Sequence, residues 1–195
     1  NPIFPATDGN LYKSSQVYLD KPEIKELLDD FVPYLSIEIK NDQLISDLKI
    51  NTEANIEIVL EYLKHLVKTQ NKEIETFKKL YIFLYNKINN NQDKIKNYFL
   101  SNPIIYVPNT EKSYFKKEEV LWKDVQSIFG NHKAYLEKHY PELKDFFVNQ
   151  LGVNEKPKPK DYADVLVAMS NQPLNEKEEE ILWKIYKELN QYLNP

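Results

Sequence analysis

The sequence predicts a mainly α-helical fold with small β-hairpins, an α+β chain built of two tandem repeats. Three observations point there. Apolar residues recur at helical spacing over much of the chain, as in Ile56, Val59, Leu60, Leu63, Leu66 and Val67. Two short stretches, opening at Asn1 and Asn102, read instead as strand, turn, strand. The blocks that follow these stretches come twice in one order.

Asn1-Pro2-Ile3 recurs as Asn102-Pro103-Ile104, and two inserted residues then lengthen the second copy. Pro5, Thr7, Lys13 and Val17 match Pro108, Thr110, Lys116 and Val120 at an offset of 103. Asp42, Leu48, Asn51 and Leu63 match Asp145, Leu151, Asn154 and Leu166 at that same offset. Lys79-Leu80-Tyr81 and Leu84 return as Lys184-Ile185-Tyr186 and Leu189. The repeat units are therefore drawn at residues 1–101 and 102–195, each a short hairpin followed by about four helices.

In the first copy Pro5 holds Phe4 extended. Thr7 to Asn10 turns, with Gly9 free to take positive φ, and Leu11 to Lys13 returns. Ser14 and Ser15 are expected to cap a single helical turn into Val17. Pro22 opens a short helix carrying Ile24, Leu27, Leu28 and Phe31. Tyr34 to Ile39 alternates as a strand would, and a short helix runs from Asp42 to Leu48. Ile74, Phe77, Leu80, Tyr81, Leu84 and Ile88 make the next long stripe, ended by Asn89 to Asn91. A shorter helix from Asp93 to Leu100 leads to the second copy.

The second copy replaces the Gly turn by Asn109 to Lys112. His132 to Gln150 reads as strongly helical, started, bent or interrupted at Pro141 and stopped at Gly152. Pro157 and Pro159 mark a linker, and Asp161 can cap the helix of Tyr162, Val165, Leu166 and Met169. Asn175 with Glu178 forms a capping-box pattern for a last helix, with Ile181, Leu182, Ile185, Tyr186 and Leu189 inward.

No catalytic signature accompanies this architecture. With no Cys there are no disulfides, thiolate metal sites or cysteine nucleophiles, which fits a reducing compartment. All 26 basic residues are Lys, and the net charge is −4. Arg supplies the planar fork for phosphate and guanine, so its absence argues against nucleic acid. The longest apolar run, Leu80 to Tyr85, is far too short to span a membrane. The chain starts without Met and without a signal peptide, as a fragment of a longer polypeptide would.

Candidate chemistry reads as structure, site by site. His65 sits on a helix, and His132 and His139 are seven apart with no ligand partner at metal spacing. The acids from Glu176 to Glu180 suit a helix N-terminus, and Asp29-Asp30 lies near a helix end. Ser14 and Ser15 lack the nucleophile-elbow pattern. Lys116-Lys117 and Lys156, Lys158 and Lys160 are basic clusters, the latter alternating with Pro as a solvated linker does. Trp122 and Trp183 lie among apolar neighbours and are expected in the core.

One further pattern is Ile104-Ile105-Tyr106-Val107-Pro108, then Val120-Leu121-Trp122, Tyr140-Pro141-Glu142-Leu143, and Phe146-Phe147 with Leu151-Gly152-Val153. With the Val59 to Leu63 and Lys79 to Tyr81 helices it resembles the region downstream of the ATPase module in sacsin-like and NO VEIN-like proteins. That family carries a histidine-kinase/gyrase-type ATPase and has chaperone-like roles. Its Asp-x-Gly-x-Gly box is missing here, since Asp8-Gly9 lacks the second Gly. The resemblance therefore implies a non-catalytic part of a larger ATPase-containing protein. The expectation is a cytoplasmic scaffold, not an enzyme, with no catalytic, cofactor or metal residues. Its partners would be other proteins or other domains of the same polypeptide. An enzyme site assembled across both repeats, or a nucleic-acid module, is the alternative.

Overall fold

The computed structural model describes residues 3–124, 128–171 and 173–193, with only the backbone of Tyr192 and Leu193. Asn1 and Pro2, which begin the repeated phrase, lie outside the described residues. The fold is mainly α with small strand pairs. The chain divides into two compact units, Asn1–Asn71 with Glu75–Leu84, and Lys72–Ile74 with Tyr85–Pro195.

In the first unit, strands β1 (Phe4–Pro5) and β2 (Leu11–Tyr12) pair antiparallel, Phe4 opposite Tyr12. A 3-10 turn, Ser14–Gln16, follows. Its cap comes from the Gln16 side chain, whose Oε1 accepts the Lys13 amide proton at 3.2 Å, and not from the serines. Val17, fully buried, leads to Tyr18, which bridges in parallel to Tyr34 and to Asn51. Helix α1 (Pro22–Leu28) stops at Asp29, whose φ of 47° breaks the helical path. Phe31 therefore falls beyond the helix. The strand expected over Tyr34 to Ile39 is reduced to bridges at Tyr34 and Leu35, and Ile37 is exposed. Helix α2 (Asp42–Asp47) is capped by the Asn41 side chain, and α3 (Ile56–Lys68) by Asn55, which accepts from the Ile58 amide at 2.9 Å. Val59, Leu60, Leu63 and Leu66 of α3 are buried. Helix α4 (Ile74–Asn86) buries Phe77, Leu80, Tyr81 and Leu84 completely.

In the second unit, α5 (Gln92–Ser101) precedes β3 (Ile105–Tyr106) and β4 (Tyr114–Phe115), antiparallel with Ile105 opposite Phe115. The 3-10 turn Lys117–Glu119 is closed as in the first unit, Glu119 Oε2 accepting the Lys116 amide proton at 2.6 Å. Strands β5 (Val120–Leu121) and β6 (Ala134–Tyr135) pair in parallel. Two helices end the chain, α6 (Pro159–Ser170) and α7 (Glu176–Leu193). As expected, the Asn175 side chain caps α7, accepting the Glu178 amide proton at 3.1 Å. Leu121, Phe129, Tyr162, Val165, Met169 and Ile185 form one apolar cluster of this unit.

The expected helix from His132 to Gln150 is present only in its second half, started at Pro141 and running through Lys144 to Gln150, while the first half is not helical. The stretch holds β6, a 3-10 turn opened by Pro141, and a π-helical turn, Asp145–Gln150. Leu136, Tyr140, Leu143, Phe146 and Phe147 are all buried, so their spacing fits a broken path as well as a helix. Gly152 takes φ of 78° directly after the π turn, in keeping with its expected role as a stop.

The backbone paths of the two units correspond closely. Tyr18 bridging Tyr34 answers to Leu121 pairing with Tyr135. The Leu35 amide donates to Tyr18 O and the Leu136 amide to Leu121 O; the Leu19 amide donates to Asn51 O and the Trp122 amide to Asn154 O. Left-handed φ falls at Asp29 and Gly130, and again at Lys49 and Gly152. Register also relocates the insertion. Pro5 opposes Leu11 as Tyr106 opposes Tyr114, so the two extra residues lie inside the second hairpin loop, and Pro108 has no counterpart at Pro5.

Candidate functional site

Each unit carries an open groove in one place, where the hairpin loop faces the segment that bridges back to the strand. In the first unit it measures about 450 Å³ and is lined by Thr7, Asp8, Tyr12 and Asp30 to Tyr34. In the second it measures about 690 Å³, and Thr110, Glu111, Phe115 and His132 to Tyr135 take the matching positions. Val107 to Lys112 of the longer loop line it, together with Glu119 of the 3-10 turn and His139 beyond β6.

The side chains of the two grooves differ although the frame does not. Asp8 accepts from the Tyr12 hydroxyl at 2.6 Å and from the Asn10 amide at 3.0 Å, and these bonds hold its carboxyl below the usual range. The second unit has Phe115 where the first has Tyr12, so Glu111 takes a long bond from Asn131 at 3.4 Å instead. Phe31 stacks on Tyr62 at 4.6 Å between ring centres. Its counterpart His132 meets Glu178 of α7, Nε2 to Oε2, at 2.9 Å. Burial pushes the Tyr34 phenol up to about 12 and raises Tyr135 as well, with Asp29 and Asp124 respectively adding to the effect. Burial lowers His139, and Lys138 adds repulsion.

Beneath the grooves two polar hubs differ in the same way. In the first unit Asp29 O accepts the Tyr34 hydroxyl at 2.6 Å, while its carboxylate accepts the Tyr62 hydroxyl at 2.6 Å and Lys79 at 2.9 Å. The corresponding Gly130 carries no side chain, and Ile181 comes so near that a Cβ there would sit 2.6 Å from its Cδ1. The second unit's hub is Lys133 with Asp161, buried at 2.9 Å. Lys133 also donates to Glu118 O at 2.7 Å, and Asp161 accepts from Asn154 and the Lys158 amide at 2.9 Å each. Both charges are paired and hydrogen-bonded, as burial requires.

The residues picked from sequence scatter. His65 is exposed on α3 against the Phe31 ring, whereas His132 and His139 share the second groove. Among the described residues no group of three His, Asp or Glu side chains is placed to hold a metal ion. Glu176, Glu178 and Glu179 occupy the first turn of α7. Lys156, Lys158 and Lys160 are exposed, and Lys117 is half-buried, its ammonium donating to Leu151 O at 3.2 Å. Trp122 is buried as expected, but Trp183 is 71% exposed, and so is Tyr186 at 46%. The grooves themselves escaped the sequence reading. The paired Thr7 and Thr110, at the loops, were the available signal.

Among the described residues no helix is long and apolar enough to cross a membrane. No family model matches the chain, and no solved structure matches it. The chain is similar to Protein NO VEIN of Arabidopsis thaliana, 23% identical over 219 residues. That similarity covers 98% of this chain and 8% of the plant protein.

Proposed function

We propose that this chain is a non-enzymatic scaffold segment of a longer NO VEIN-like polypeptide, made of two copies of one ancestral repeat. One observation carries the reading. The groove recurs with its backbone frame kept and its side chains exchanged: Tyr12 for Phe115, Phe31 for His132, Val32 for Lys133. Catalysis depends on side-chain identity, whereas a surface that presents loops depends on the frame. The first groove's hydroxyl bonded to a carboxylate, Tyr12 on Asp8 at 2.6 Å, is replaced by Phe115 in the second groove, and His132 there is engaged by Glu178. On the resemblance, an ATPase module lies upstream in the same polypeptide, and this segment relays or displays surfaces for it in a chaperone-like role in the cytoplasm.

The purified chain is expected to turn over neither ATP nor ester, phosphoester or peptide substrates. Turnover that His139→Ala or Glu119→Gln abolishes, with the fold intact by circular dichroism, overturns the scaffold reading in favour of an enzyme.

A further inference from the structure

The first unit holds a further open groove, of about 670 Å³, between α2 and the segment that leads into α1. That volume is in the range of small-ligand and side-chain pockets. Ile45 and Ile50, both buried, and Leu19 and Ile39, both half-buried, make its apolar wall.

The second unit shows what this place accepts. Leu19 and Trp122 hold one position of the frame, since their amides donate to Asn51 O at 2.9 Å and to Asn154 O at 3.0 Å. Ile45 and Phe147 hold another, their carbonyls accepting the Ile50 amide at 3.2 Å and the Val153 amide at 2.9 Å. Trp122 and Phe147 are buried. The first unit thus has two aliphatic side chains where the second packs an indole and a phenyl ring, and Leu19, in the place of the indole, lines the open groove.

The polar side of the groove differs in one direction. Lys21 stands for Asp124, Lys49 for Gly152 and Thr52 for Glu155, and each exchange makes the first unit more positive here. Of the two acids that line the groove, Glu38 pairs with Lys40 at 3.7 Å, and Asp42 stands in the first turn of α2, where a helix favours an acid. Lys21 donates to a carbonyl, Thr52 O at 3.5 Å, and among the described residues neither Lys21 nor Lys49 is ion-paired. Lys49 also keeps φ of 56° where the second unit has Gly152, so a lysine is held in a conformation that favours glycine.

We infer that this groove docks a tryptophan side chain carried by an acidic peptide segment of a protein partner. The ring takes the place that Trp122 has in the second unit, against Leu19, Ile45 and Ile50, and the flanking carboxylates meet Lys21 and Lys49. The inference rests on the scaffold reading and states the chemistry of one partner.

The test is methyl NMR of the full chain, labelled at Leu and Ile and titrated with a short peptide of one Trp flanked by Asp and Glu. The Leu19, Ile45 and Ile50 resonances move, and added salt weakens the binding. Ala in place of the peptide's Trp, or Lys in place of its acids, weakens it roughly tenfold or more. Leu19→Trp fills the groove from within, so Tm holds and the peptide no longer binds. Lys21→Asp with Lys49→Gly restores the second unit's polar side and weakens binding roughly tenfold. Unmoved resonances overturn the inference, as does equal binding by the altered peptides or by free N-acetyltryptophan. A Leu19→Trp chain that still binds, or that loses its fold, overturns it as well, because the place is then not one that an indole fills. The same shifts on concentrating the chain alone overturn it too, since the occupant is then a second copy. None of these readouts involves turnover, so the scaffold reading and this inference fail separately.

Discussion

Lys133 and Asp161 are buried charges in a unit whose counterpart has neither. The matching residues are Val32 and Ile58, so one frame accepts an ion pair or two aliphatic side chains. Removing one partner leaves a buried charge unpaired, which costs more than removing both. Asp161→Ala is expected to lower stability by about 3–5 kcal/mol in urea unfolding. Adding Lys133→Val to Asp161→Ile regains a large part of that loss; a double variant as unstable as the single one refutes the argument. Tyr34 makes a second case. The unfolded chain releases its phenolic proton near pH 10, while the folded chain holds it to about 12. Its contribution is therefore present in full below pH 10 and is lost as pH rises towards 12. Stability measured across that window falls, and Tyr34→Phe falls less steeply; identical slopes count against the assignment.

At the scale of elements, caps and breaks matter more than propensity. Helix α3 begins where the Asn55 side chain satisfies the Ile58 amide, and Asn55→Ala should cost about 1 kcal/mol in thermal or urea unfolding. The corresponding start of α6 uses Lys158 at the cap, with Asp161 folding back to bond its amide. One helix is capped from the residue just before it and the other from its third position, so the same start survives a change of residue. The stretch from His132 to Gln150 teaches the opposite lesson. Leu136, Tyr140, Leu143 and Phe147 fall three or four apart, which is helical spacing. Yet β6 pairs Ala134 and Tyr135 with β5, and Pro141 lacks the amide an ongoing helix needs. Pairing with a distant strand decided the first half, which spacing alone does not carry, while from Pro141, the expected break, the chain is helical to Gln150.

At the scale of the whole molecule, each unit rests on a few backbone bonds between distant residues. Leu19 to Asn51 and Leu35 to Tyr18 hold the first; Trp122 to Asn154 and Leu136 to Leu121 hold the second. Hydrogen exchange should find the amides of Leu19, Leu35, Trp122 and Leu136 among the slowest, and those of the hairpin loops among the fastest. Fast exchange at Trp122 and Leu136 would show that the bridge is not the second unit's stable centre.

The sequence by itself determined the helix-rich class, both hairpins, the order of the blocks and the cap at Asn175. Those features are local, set by residues within a few positions of one another. Tertiary structure decided the rest. It broke the His132 to Gln150 stretch, moved the insertion into the second hairpin loop, opened the paired grooves and placed Trp183 in solvent. Trp122 and Trp183 both sit among apolar neighbours in sequence, and only the packing of distant chain buries the first and leaves the second bare. Burial depends on what else folds against a face, and no window of sequence around a residue contains that partner.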